Sequence, residues 1–109
     1  MKSVMKKYKE KFDSFKYVIG KNNPTIIEIG SHYGEDSLRF IETFENAMVY
    51  CFEPDPRNIN IHKKHINDDR IKLFEIALSN QTGEAEFYQS YDDKEIPDRV
   101  FDKYDWIDR

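Results

Sequence analysis

The sequence predicts an α/β domain built around a parallel sheet. Three observations carry this reading. Segments with apolar residues at helical spacing alternate with short β-branched runs; two glycines four residues apart follow the first such run; an acid closes the second. Alternation of helix and strand implies parallel strands joined by right-handed crossovers. The chain has 109 residues, which fits a single domain.

Val4, Tyr8, Phe12, Phe15 and Ile19 recur at spacings of four, four, three and four, one stripe of a helix. Gly20 stands where a helix C-cap would. Lys21–Pro24 reads as a turn, because Pro24 cannot donate to a strand ladder. Thr25–Ile29 is a short buried strand. Glu35–Phe44 carries Leu38, Ile41 and Phe44 at spacing three, an amphipathic helix. Met48–Phe52 is a second buried strand. Pro56 suits a first helical turn, and Ile59, Ile61 and Ile66 extend that helix to about His65. Arg70–Leu78 is a third strand, and Asn80–Gly83 a turn. Ala85–Tyr88 forms a short hairpin-like fourth strand. Tyr91–Arg109 is acidic, yet Val100, Phe101, Tyr104 and Ile107 keep helical spacing; a docked helix and a frayed end both fit. The expected organisation is an N-terminal helix over 1–23, a ligand-binding half-domain over 24–90, and an acidic tail or short helix over 91–109.

Composition narrows the function classes. The net charge of −4 excludes the overall basic footprint of a nucleic-acid binder. No apolar run approaches the roughly 20 residues that cross a bilayer, so no membrane span is expected. The charged N-terminus lacks a signal-peptide core, and the single cysteine, Cys51, excludes an internal disulfide framework. A reducing cytoplasm is the expected compartment.

Three segments carry chemistry. In Ile26–Ser37, an apolar strand runs into Glu28-Ile29-Gly30, then Ser31-His32-Tyr33, Gly34 and a helix. Gly30 allows a sharp turn and close approach of a ligand to the main chain. Gly34 opens the helix, whose first amides, with those of the loop, would face a ligand above the strand ends. The Glu28 carboxylate would repel a pyrophosphate and suits a ligand bearing a cation. In Val49–Pro56, a strand ends at Glu53, 23 residues after Gly30. An acid there accepts hydrogen bonds from ribose hydroxyls in nucleotide-binding doubly wound folds. A third segment, Ile71–Tyr88, places the small and apolar Ala77 and Leu78 near the end of the third strand, where they could pack on a flat heterocycle.

The acid-x-Gly-x-x-x-Gly loop, the FEPDP turn with a helix behind it, and ALSNQTGEAEFY together resemble the FkbM-type family of class I S-adenosylmethionine-dependent methyltransferases. The resemblance covers Thr25–Gln89. It implies a Rossmann-like, three-layer sheet, S-adenosylmethionine as methyl donor, and a hydroxyl of a small molecule or sugar as acceptor. Residues carried over for the cofactor are Glu28, Gly30, Ser31, Gly34, Glu53, Pro54, Ala77 and Leu78. In this class a fourth strand and three more follow, and they supply much of the acceptor site. This chain stops before them, so the expectation is the first half of the fold, about three parallel strands plus the hairpin-like extension. Catalytic residues are not assigned. The first strand would then have a bare edge, an invitation to homo-oligomers.

Other residues are read as structural. His62 and His65, three apart, are expected on the surface with no third metal ligand. His32 borders the cofactor loop, and Cys51 is a packed small hydrophobe. The alternative functions are a non-catalytic nucleoside-binding or interaction remnant of the fold and, below it, an NAD-dependent oxidoreductase. The latter's Gly-x-Gly-x-x-Gly fingerprint is not met.

Overall fold

The computed structural model describes residues 2–86. Its elements run α1 (Lys2–Ile19), β1 (Thr25–Ile29), α2 (Glu35–Thr43), β2 (Met48–Phe52), α3 (Pro56–His65) and β3 (Ile71–Phe74). The strands form one parallel sheet in the order β1-β2-β3. This is the α/β half-domain expected from the alternation, and β1 and β2 have the expected limits. The assignments over 87–109, including the end of the fourth strand and the tail helix, lie outside the described residues.

The register explains which side chains meet. Ile29 sits beside Phe52, and Phe52 beside Phe74. Strand side chains alternate between faces. One face carries Ile26, Val49, Cys51, Ile71 and Leu73, which pack with Ile41 of α2 and Ile66 at the end of α3 into the main core. α2 and α3 therefore share a face, as right-handed crossovers in one direction along the sheet require. α1 joins by packing Phe12 and Phe15 on Phe40 of α2, with ring centroids 4.9 and 6.1 Å apart. The second helical layer of a doubly wound sheet is not among the described residues.

β3 is shorter than expected. Its ladder ends where β2 runs out: the last bond is Glu53 N–H to Phe74 O, at 3.1 Å. Residues 75–78, expected to continue β3, form no strand and have no neighbour to pair with among the described residues; Ala85 and Glu86 form no strand either. The start of β3 also differs, because Arg70 has another task. Its guanidinium donates to the carbonyls of Ile41 and Glu45 and to the Asp68 carboxylate, tying off the C-terminal end of α2. α3 begins on Asp55, whose side chain accepts from the Arg57 amide at 2.9 Å, with Pro56 in the first turn.

Candidate functional site at the ends of the strands

The loop between β1 and α2 meets the loop between β2 and α3 at the C-terminal edge of the sheet. Glu53 joins them. Its Oε1 accepts from the His32 amide at 2.7 Å. Its Oε2 accepts from the Asp55 amide at 3.1 Å and from Asn58 Nδ2 at 3.3 Å. Glu53 is buried, with 5% of its surface exposed. A carboxylate offers about four acceptor positions, and three are filled from within the chain. The sequence reading had Glu53 at an open strand end; the structure gives it an internal structural role as well.

The loop amides are likewise committed. Gly30 and Ser31 donate to Phe52 O at 2.8 and 3.2 Å, and Gly34 to Ser31 O at 3.0 Å. With His32 held by Glu53, four amides of this turn face protein acceptors and not the space above the strands, contrary to the sequence expectation. What they build is a rigid turn. His32 adopts a left-handed φ of 61°, which costs a non-glycine residue about 1–2 kcal/mol. The bond to Glu53 offsets that strain. The His32 ring rests against Tyr33, centroids 3.9 Å apart, and Tyr33 is buried.

The two glycines have different tasks. Gly30 is left-handed, φ 74°, and a side chain there would meet nothing within 4 Å. The space over Gly30 is thus open. Gly34, φ 88°, is the N-cap of α2 and is packed. A Cβ there would overlap Ile66 Cδ1 and lie 2.6 Å from His62 Nδ1. His62 is therefore not on the surface: it is 4% exposed and wedged between α3 and the turn. Burial holds its imidazole below the usual histidine range. Ile59, His62 and Ile66, at spacings of three and four, form one helical stripe. The stripe is legible in the sequence, but a polar histidine within it reads as exposed.

Glu28 faces the helical side of β1. Ser37 Oγ donates to its Oε1 at 2.7 Å, and Cys51 Sγ lies 2.9 Å from the same hydroxyl. Desolvation pushes the Glu28 carboxyl up to about 7, and burial pushes the Cys51 thiol up to about 11. The Ser31 hydroxyl nearby is buried without a hydrogen-bond partner among the described residues. Glu28 and Ser37 thus belong to a polar cluster at the first turn of α2, with Ser31 buried nearby. Pro54 and Ala77 line a separate open cavity of about 500 Å³, walled also by Ile76, Thr82 and Gly83. Leu78 is exposed nearby in sequence but is not among its lining residues. The site residues expected from sequence therefore fall into three groups around the strand ends: the Glu28–Ser31 polar cluster, the Gly30–Glu53 junction, and the Pro54–Ala77 cavity. Among the described residues, no group of three acidic, histidine or cysteine side chains could hold a metal ion. No helix among them is long and apolar enough to cross a membrane.

No protein-family model matches the chain. The chain is 30% identical to the 2-O-methyltransferase NoeI of Sinorhizobium fredii, over an alignment covering 83% of this chain and 42% of that protein. It thus spans less than half the length of the curated relative it matches, and its similarity is to a methyltransferase.

Proposed function

We propose that this chain is the donor-binding half of an S-adenosylmethionine-dependent methyltransferase of the FkbM type, acting on a hydroxyl of a small molecule or sugar. The observation that carries the reading is Glu53 at the end of β2, bonded directly to the turn after β1, in a chain similar to a 2-O-methyltransferase. An acid in that position suits a ribose diol. Open space over Gly30 and the cavity beside Pro54 and Ala77 fit the nucleoside on either side of it. Glu53 retains about one acceptor position for a hydroxyl donor. Glu28, Ser31 and Gly34 would act on the donor's other end through the packing of the turn, with Leu78 beside the base. When bound, S-adenosylmethionine supplies a methyl group on a cationic sulfur, which transfers to an oxygen nucleophile. The chain's own part is to orient the donor and keep the turn rigid. On this reading 24–90 would bind the donor, 1–23 would hold the N-terminal helix, and 91–109 would be the acidic tail or short helix. The outer edge of β1, with no strand beside it among the described residues, would take a second copy or another strand.

The test offers the full chain S-adenosylmethionine labelled on the methyl group, with a panel of sugar acceptors. The reading expects label in an acceptor hydroxyl. Binding of S-adenosylhomocysteine without transfer to any acceptor would favour the second reading, a nucleoside-binding remnant of the fold.

A further inference from the structure

The charge of this chain is divided. Residues 1–21 carry seven lysines and two acids, a charge of +5; residues 22–109 carry ten basic and nineteen acidic side chains, a charge of −9. The basic part is α1. Among its described side chains, Phe12 is buried, Phe15 is half-buried and the others are exposed. Those two rings seat the helix on Phe40, and most of its circumference faces water.

The C-terminal end of α1 also exposes apolar surface. Tyr17 and Val18 are 88% and 79% exposed, and Ile19 is 40% exposed. Lys16 and Lys21, both exposed, bracket these three consecutive side chains. At about 100° per residue, Lys7 and Lys11 flank the Phe12–Phe15 stripe on one side, and Lys9 and Lys16 on the other. The outer face carries Lys6, Glu10, Asp13 and Tyr17. Asp13 is offset by Lys9, at 2.9 Å.

We propose that α1 is a docking helix for an anionic lipid surface. Its lysines meet the headgroups, and Tyr17, Val18 and Ile19 enter the interface at its C-terminal end. Tyrosine suits the headgroup level, aliphatic side chains gain by leaving water, and lysine stems lie along the boundary with their ammonium groups outward. The basic residues of 1–21 are lysines without an arginine. Compact point charges suit a diffuse anionic surface, whereas directed phosphate recognition favours the arginine fork. A nucleic acid would answer the lysines but leave Val18 and Ile19 in water. The acidic remainder adds orientation: an anionic surface attracts α1 and repels the rest, so the chain approaches helix first. The helix lies on the bilayer and does not cross it. The inference does not depend on methyl transfer.

The full chain is centrifuged with phosphatidylcholine vesicles containing phosphatidylserine at about 30%, and with vesicles of phosphatidylcholine alone. Binding to the anionic vesicles is expected to be at least about tenfold tighter. It is expected to weaken by a similar factor at about 1 M salt, where the screening length falls to about 3 Å. Two paired variants divide the contact: Lys6→Glu with Lys7→Glu, and Tyr17→Ser with Val18→Ser. All four side chains are exposed, so both variants are expected to melt as the parent chain does. Each pair is expected to weaken vesicle binding roughly tenfold. Equal binding to the two kinds of vesicle, or binding to neither, would overturn the proposal. So would a folded variant of either pair that binds as the parent does, or a single-stranded oligonucleotide bound more tightly than the anionic vesicles.

Discussion

Glu53 Oε1 lies 2.7 Å from the backbone nitrogen of His32, and this bond fixes the turn after β1 to the end of β2. The two segments are 21 positions apart in the chain. One carboxylate thus holds a left-handed, non-glycine residue in place and also caps the start of the β2–α3 loop through Asp55.

Replacing Glu53 therefore tests folding and binding together. Glu53→Ala leaves the His32 and Asp55 amides without their acceptor. The expected loss of stability is about 1–3 kcal/mol in a denaturant titration. Glu53→Gln retains an acceptor oxygen and should lose less. Unchanged stability in Glu53→Ala would show that the amides find other partners.

The glycines are predicted to separate. At Gly30 an alanine meets open space, so the expected cost is backbone strain alone, about 1–2 kcal/mol. At Gly34 the same strain is joined by overlap with Ile66 and His62, and overpacking adds about 1–3 kcal/mol. Gly34→Ala should therefore be the more destabilising by a clear margin in thermal melts. Gly30→Val should weaken nucleoside binding more than it weakens the fold. Equal melting temperatures for Gly30→Ala and Gly34→Ala would contradict the packing described for α3.

Glu28 predicts a pH dependence. Desolvation raises its carboxyl from the ordinary value of 4.5 to about 7 in the folded chain. Between those values the folded state binds more protons than the unfolded state. Stability therefore falls as pH rises from about 4.5 through about 7, and then levels. The contribution at stake is on the order of 3 kcal/mol. Glu28→Gln should flatten this part of the pH–stability curve and be the more stable form at pH 8. A wild-type curve that rises from pH 5 to 8 by the same amount in both proteins would contradict it.

Arg70 should matter beyond its charge. Its guanidinium reaches two main-chain carbonyls at the end of α2 while braced by Asp68. Arg70→Ala is expected to lower stability by about 1–2 kcal/mol, and Arg70→Lys to recover only part, since one ammonium cannot reproduce the planar fork. Chemical denaturation of the three proteins decides this.

Strands β1 and β2 were legible because their β-branched and aromatic runs are bounded by residues that cannot continue them: Pro24 and Gly30 for one, Glu53-Pro54 for the other. The end of β3 is not legible in the sequence, because its length is set by its neighbour, and β2 ends opposite Phe74. The junction of Glu53 with the glycine turn could be anticipated from spacing. Its internal hydrogen bonds could not, because they depend on the left-handed turn at His32. The burial of His62 follows from Gly34, which lies in another loop and leaves room for the ring.

The central claim is that the strand ends around Glu53 bind the S-adenosyl nucleoside. Calorimetric titration of the full chain with S-adenosylhomocysteine, and separately with NAD, tests it most directly. Saturable binding of S-adenosylhomocysteine is expected, weakened roughly 5–15-fold in Glu53→Gln, which exchanges a charge-assisted hydrogen bond for a neutral one about half as strong. A folded chain that binds NAD as tightly, or whose affinity for S-adenosylhomocysteine is unmoved by Glu53→Gln, would contradict the account.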